Sequence, residues 1–124
     1  MGKICDLDVE KYRCVSPDIR TSEVILTDER ILHIKERHPG DYEDIEPFLG
    51  EAIVSPDYIL EDAPNTGLIL KRIKEEEMRF QLVLRLHTSS DLKGRKNSII
   101  SAWKISDSRW NNYVRNKKIL YKLE

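Results

Sequence analysis

Four residues able to do acid–base and phosphate chemistry sit within the run His33-Ile34-Lys35-Glu36-Arg37-His38-Pro39. Imidazoles titrate near neutrality and can give or take a proton there. A guanidinium meets phosphate oxygens as a planar, bidentate fork. Arg37, four residues after His33, would depress that imidazole's pKa and suit it to a general base; the alternative is a helix histidine that caps or packs. His38 stands in the last turn before Pro39, where the helix C-terminus favours an imidazolium. It fits a general acid or a structural C-cap. Arg37 either clamps a phosphate or pairs with an acidic neighbour, and Glu36 orients an imidazole, acts as a base or belongs to a solvated acidic surface. At 100° per residue the two histidines lie about 140° apart around a helix, so a single pocket uses both only if the helix end distorts.

A second group of candidates lies in the later half. Arg85 and His87 share the less apolar face of an alternating stretch. Lys93-Gly94-Arg95-Lys96 is a basic loop without Walker spacing, which points to phosphate contact but not to a nucleoside triphosphate. Ser101 lies mid-strand between Ile99 and Trp103, where a hydroxyl needs a specific partner or a backbone acceptor. Trp103 and Tyr121 are able to stack on bases, although tryptophan in so small a domain is ordinarily core. With Lys104, these give Arg85, His87, Lys93, Arg95, Lys96, Trp103 and Lys104 as candidate nucleic-acid contacts. Metal chemistry is poorly supported. His33 and His38 are five apart rather than four, with no HExxH pattern, and no Cys/His set has zinc spacing. Neither a metal nor another cofactor is expected.

These residues need elements to hold them. Thr27 is a good N-cap for a helix that begins with Asp28 and Glu29 and stops at Pro39-Gly40. Residues 41–49 read as a second, acidic helix, kinked or shortened by Pro47, with Gly50 at its C′ position. Tyr58-Ile59-Leu60 and Leu68 to Ile73 form a hairpin across Pro64-Asn65-Thr66-Gly67. Met78 to Thr88 alternates, with Phe80, Leu82, Leu84 and Leu86 on one face. Ser98 to Ile105 alternates Ile99, Ser101, Trp103 and Ile105 against Ser98, Ile100, Ala102 and Lys104. Ser106 or Asp107 caps a helix to about Asn116, and Ile119-Leu120-Tyr121 closes as an edge strand. Helices first and strands after predict an α+β fold, with N-terminal helices packed on an antiparallel four- to five-stranded meander sheet. Residues 1–22 read as an extension, with one short strand near Tyr12 to Val15, and residues 23–124 as a single domain.

The 124 residues suffice for one core, and no apolar run approaches the roughly 20 residues of a membrane span. The N-terminal sequence MGKICDLD lacks a secretory h-region. Cys5 and Cys14 make no disulfide framework and no CxxC motif. A reducing, cytoplasmic setting with inert thiols is expected. The net charge of −1 conceals an asymmetry: residues 1–62 carry 7 Lys/Arg against 16 Asp/Glu, and residues 63–124 carry 14 against 6. That dipole either steers an anionic ligand to the second half or is consumed by pairing between the halves.

The run Ile31-Leu32-His33-Ile34-Lys35-Glu36-Arg37-His38-Pro39 followed by an acidic helix resembles a group of phage-associated nuclease-like domains. The likeness continues through the Ser-Pro-Asp turn before Tyr58-Ile59-Leu60-Glu61-Asp62. It extends to Asn97-Ser98-Ile99-Ile100-Ser101-Ala102-Trp103 and Lys118-Ile119-Leu120-Tyr121, covering roughly residues 23–122. Such domains are grouped with barnase, EndoU, the colicin E5 and D tRNases and RelE. The resemblance implies a metal-independent endoribonuclease of toxin or phage-effector type, which uses 2′-hydroxyl attack to leave a 2′,3′-cyclic phosphate. It places active-site roles on His33, Glu36, Arg37 and His38, with Ser101 contributing from the sheet. The family usually has threonine at that last position, and the hydroxyl is kept. RNA, including tRNA, is the expected partner, with a protein inhibitor or antitoxin as another and no membrane. The alternatives are a non-catalytic RNA- or protein-binding module of prophage origin, or a toxin–antitoxin partner.

Overall fold

The computed structural model describes residues 2–123. A seven-stranded sheet runs in the order β1 (Gly2–Asp6), β2 (Glu23–Leu26), β6 (Asn97–Lys104), β5 (Met78–Arg85), β4 (Thr66–Ile73), β3 (Tyr58–Glu61) and β7 (Ile119–Lys122). Every pairing is antiparallel except β2 with β6, which is parallel and involves only Val24↔Asn97 and Ile25↔Ser98. The helices are α1 (Val9–Tyr12), α2 (Asp28–Arg37), α3 (Asp41–Ile45), α4 (Leu49–Val54) and α5 (Asp107–Asn116). The mixed α+β class holds. The sheet is wider than the four to five strands expected, because β1 and β2 add to one side of the meander.

One of those two strands, β1, lies within residues 1–22. β1 alternates only weakly and is partly exposed throughout, so its sequence carries little strand signal; pairing with β2 makes it a strand. The expected strand near Tyr12 is instead the end of α1, which Asp8 caps through the Glu10 and Lys11 amides. Tyr12 is fully buried and its hydroxyl donates to the Ile53 carbonyl at 2.6 Å.

Thr27 caps α2 as expected, accepting from the Arg30 amide at 3.2 Å. The last turn closes with the His38 N–H on the Ile34 carbonyl at 2.8 Å. Gly40, at φ +87°, turns the chain into α3, a conformation glycine adopts without a Cβ penalty. The single acidic helix expected over 41–49 is interrupted. α3 stops at Ile45, Glu46–Phe48 form a 3-10 turn around Pro47, and α4 then starts with Gly50 inside it rather than beyond a helix end. Pro47 has no N–H to continue the ladder, and burial of Leu49, Ala52 and Ile53 at i, i+3 and i+4 restarts it.

Two apolar layers flank the sheet. On one face Val24, Leu26, Phe80, Leu82, Leu84 and Ile99 meet Ile34, Ile45, Leu49 and Ile53. On the other, Trp110 of α5 packs on Leu60, Leu68 and Leu70.

The simple alternation expected along Ser98 to Ile105 fails at one point. Val83 faces Ser101 while the next residue, Leu84, faces Ile99, so Ile100 is the extra residue of a β-bulge. The bulge inverts the phase. Ile99 and Ala102 are buried in the main core, whereas Ser101 and Trp103 fall on the other face, opposite Val83 and Gln81 and in line with the Ser98–Arg85 pair.

Candidate active site

The bulged face is covered unevenly. α5 seals its β3–β4 side, and the Tyr113 hydroxyl donates to Gln81 Oε1 at 2.9 Å where that cover ends. Over β5 and β6 the floor stays half-open and carries Arg85, Ser98, Ser101 and Trp103. The far wall is α2. Because β2 leaves β6 after Ser98, the following helix lies along the vacated edge, and Asp41 at the start of α3 accepts the Lys104 amide at 3.0 Å. A trough therefore lies between α2 and α5.

At one end of it His38 stacks on Trp103, with ring centroids 4.3 Å apart and planes 11° apart. At the other end is the segment after β5. Arg85 donates from Nη2 to Asp91 Oδ1 at 2.7 Å and from Nη1 to the Leu86 carbonyl. Asp91 Oδ2 accepts the Thr88 amide at 2.8 Å. That amide, the largest influence, and the Arg85 charge hold the Asp91 carboxyl below its usual range against a smaller desolvation effect. Asn97, fully buried, accepts the His87 amide and donates to the Thr21 carbonyl, both at 2.8 Å. Asp18 accepts from the Ser89 hydroxyl and amide, which lower its pKa in that order. The polar segment after β5 is thus tied to residues 18–21 on one side and to β6 on the other.

Two adjoining clefts open here, of about 550 Å³ and 420 Å³. They share His87, Asp91, Arg95 and Lys96; the larger adds Arg20 and Lys93, the smaller Arg30, Arg85 and Ser98. Each volume falls in the range that holds a small organic ligand. The smaller cleft joins the trough, so basic loop and sheet floor form one continuous surface.

The residues singled out in the sequence divide accordingly. His38, Arg85, Ser101 and Trp103 lie along the trough, and His87, Lys93, Arg95 and Lys96 line the clefts. Lys96 also pairs with Glu23 at 3.4 Å, while Lys93 and Arg95 have no ion pair among the described residues. Arg30, His33 and Arg37 form one row of α2. Only Arg30 lines the cleft; His33, further along that row, lies in a separate depression with Arg30 and Glu36, and Arg37 is exposed. Lys104 is bound to Asp44 and clasps β6 to α3. Tyr121 packs against the main core beneath Lys11, not in the trough. Sequence reasoning missed Arg20, Arg30, Thr88, Asp91 and Asn97. The available signal was Thr88-Ser89-Ser90-Asp91, a run typical of side-chain-capped turns, immediately after a histidine.

Among the described residues no group of three His, Cys, Asp or Glu side chains is placed to hold a metal ion, and no helix is long and apolar enough to cross a membrane. The family model described as phage-Barnase-EndoU-ColicinE5/D-RelE like nuclease2 matches residues 8–122, and the chain belongs to that family. No curated protein and no solved structure was found to match the chain.

Proposed function

We propose that the substrate is single-stranded RNA lying along the trough, and that the protein cuts it by attack of a ribose 2′-hydroxyl on the adjacent phosphate. The carrying observation is the continuity of the floor, from the His38–Trp103 stack past Ser101 to Arg85 and the cationic clefts. Stacked aromatic rings receive unstacked bases, which only single-stranded segments such as loops of tRNA present. Arg30 and Arg85 neutralise charge that develops on the phosphate. The Ser101 hydroxyl, aimed outward by the bulge, is placed to hydrogen-bond the strand. Imidazoles border this surface at three points: His33 on the rim, His38 on Trp103 and His87 at the cleft. The nucleophile is internal to the RNA, so this chemistry needs no metal. An RNA-cutting protein with two free cysteines suits the cytoplasm, and a protein inhibitor is a natural partner.

The test is incubation of purified protein with total RNA and with defined single-stranded oligonucleotides in EDTA. Cleavage leaving 2′,3′-cyclic phosphate and 5′-hydroxyl ends is expected, with a rate maximum between about pH 5 and 8. Affinity should fall as salt rises, and Arg85→Ala should reduce the log–log slope by about 0.7. Salt-sensitive binding without cleavage would mark a non-catalytic RNA-binding module. Absence of both would refute an RNA-directed role.

A further inference from the structure

We infer that His87, held by Asp91, is the group that takes the proton from the attacking 2′-hydroxyl; this rests on the endoribonuclease reading above. Of the three histidines, His87 has a carboxylate set behind its ring: Nδ1 lies 3.8 Å from Asp91 Oδ2. His87 is only 9% exposed, and its Nδ1 is shielded from solvent without a hydrogen-bond partner. A buried donor of that kind needs a partner, and an approach of about 1 Å supplies one. Asp91 is fixed in place, with one oxygen on the Thr88 amide and the other on Arg85. A proton kept on Nδ1 leaves Nε2 as the free lone pair of a ring that lines both clefts.

Distance separates this imidazole from the other two. His38 sits over Trp103, which pairs with Gln81, four residues before Arg85 on the same strand. At 3.3 Å per residue that is about 13 Å, too far for His38 and His87 to flank one phosphate. His33 lies in a depression that does not include Arg85. Arg85 ties the sheet floor to Asp91, so a phosphate drawn to its guanidinium lies beside His87. The His38–Trp103 end then serves as the platform for a base.

In the step itself, the O2′ proton passes to Nε2, O2′ bonds to phosphorus, and the P–O5′ bond breaks with its electron pair on O5′, which takes a proton from water. Asp91 stabilises the imidazolium that forms, as a buried carboxylate does behind other catalytic histidines. The remaining charges facing the ring are Arg85, Arg95 and Lys96 around the clefts, with Asp18 and Arg20 on the segment packed against the loop.

The experiment compares wild type, His87→Gln, His87→Ala and Asp91→Asn on a fluorescent single-stranded oligonucleotide, with thermal melts of each. His87→Gln should lose roughly 10²- to 10⁴-fold in kcat with little change in KM, and imidazole added to His87→Ala should restore part of the rate. Neutral His87 is the active form, so wild-type kcat rises with pH on the acid side of the profile. Asp91→Asn should move that rise to lower pH, because the imidazolium loses its carboxylate; a purely structural role would leave the profile in place. Nitrogen-15 shifts of the wild-type imidazole should show the Nδ1–H tautomer, a readout independent of any variant's folding. A folded His87→Gln protein with wild-type kcat, an unmoved profile in Asp91→Asn, or an Nε2–H tautomer would each overturn the assignment while leaving the endoribonuclease reading intact. Wild-type protein that binds RNA but never cuts it overturns both.

Discussion

Replacing Asn97 by leucine keeps a side chain of similar size in a fully buried site and removes two hydrogen bonds at once. The His87 amide and the Thr21 carbonyl, each bonded to Asn97 at 2.8 Å, are left with no partner and no space for water. An orphaned buried backbone group costs about 1–3 kcal/mol, and burying the leucine recovers about 2 kcal/mol. With two groups orphaned, a mid-range net loss of about 2 kcal/mol is expected, which for a domain of this size lowers Tm by about 8 °C. Urea titration should show a lower midpoint at unchanged m, and hydrogen exchange should show the His87 amide losing protection. Asn97→Asp is the control. It keeps the acceptor for His87 but sets a carboxylate against the Thr21 carbonyl, which raises its folded pKa above the unfolded value. Its destabilisation should be full at neutral pH and shrink as pH falls through that raised value. A loss below about 1 kcal/mol in Asn97→Leu, with the His87 amide still protected, would show that Asn97 does not hold the cleft together.

Tyr12→Phe should cost about 1–2 kcal/mol in chemical denaturation by orphaning the Ile53 carbonyl. Burial pushes the Tyr12 phenol far upward, so ultraviolet titration of the folded protein should register ionisation of at most four of its five tyrosines. Trp103→Ala should weaken single-stranded RNA binding by about 1–3 kcal/mol in fluorescence anisotropy, and an abasic nucleotide at the stacked position should abolish the difference. Asp18 and Asp91 have folded pKa values below their unfolded ones, so they stabilise the loop above about pH 4, and that contribution is lost as pH falls through the folded values. Amide exchange over residues 88–96 should accelerate in that acidic window, and Asp91→Asn should remove most of the effect.

Much of the α+β plan was legible because its signals are local. The Thr27 and Ser106 caps, the Pro39-Gly40 stop and the alternation of Met78 to Arg85 each act within a few residues. What escaped was set by partners remote in sequence. β1 is a strand because β2 lies beside it, and Pro47 splits one expected helix because the apolar set after it can restart. Ser101 reads from sequence as an awkward hydroxyl for a core strand, and the fold leaves it half-buried on the less covered face. Only the bulge at Ile100, invisible in a period-two pattern, shows how the awkwardness is resolved. The histidines of α2 drew attention through their density along the chain. His87 reads from sequence only as a nucleic-acid contact, because Asp91, Asn97 and residues 18–21 gather around it only after folding.

The Asn97–Thr21 bond closes a span of 76 residues. During synthesis at about 5–20 residues per second, some 4–15 s separate the appearance of its two ends. Until the second end leaves the ribosome, the parallel strand pair cannot form, residues 18–21 have nothing to brace, and the trough has no floor. A nascent chain that lacks β6 therefore has the Arg20 side of the cleft but no surface on which to assemble it.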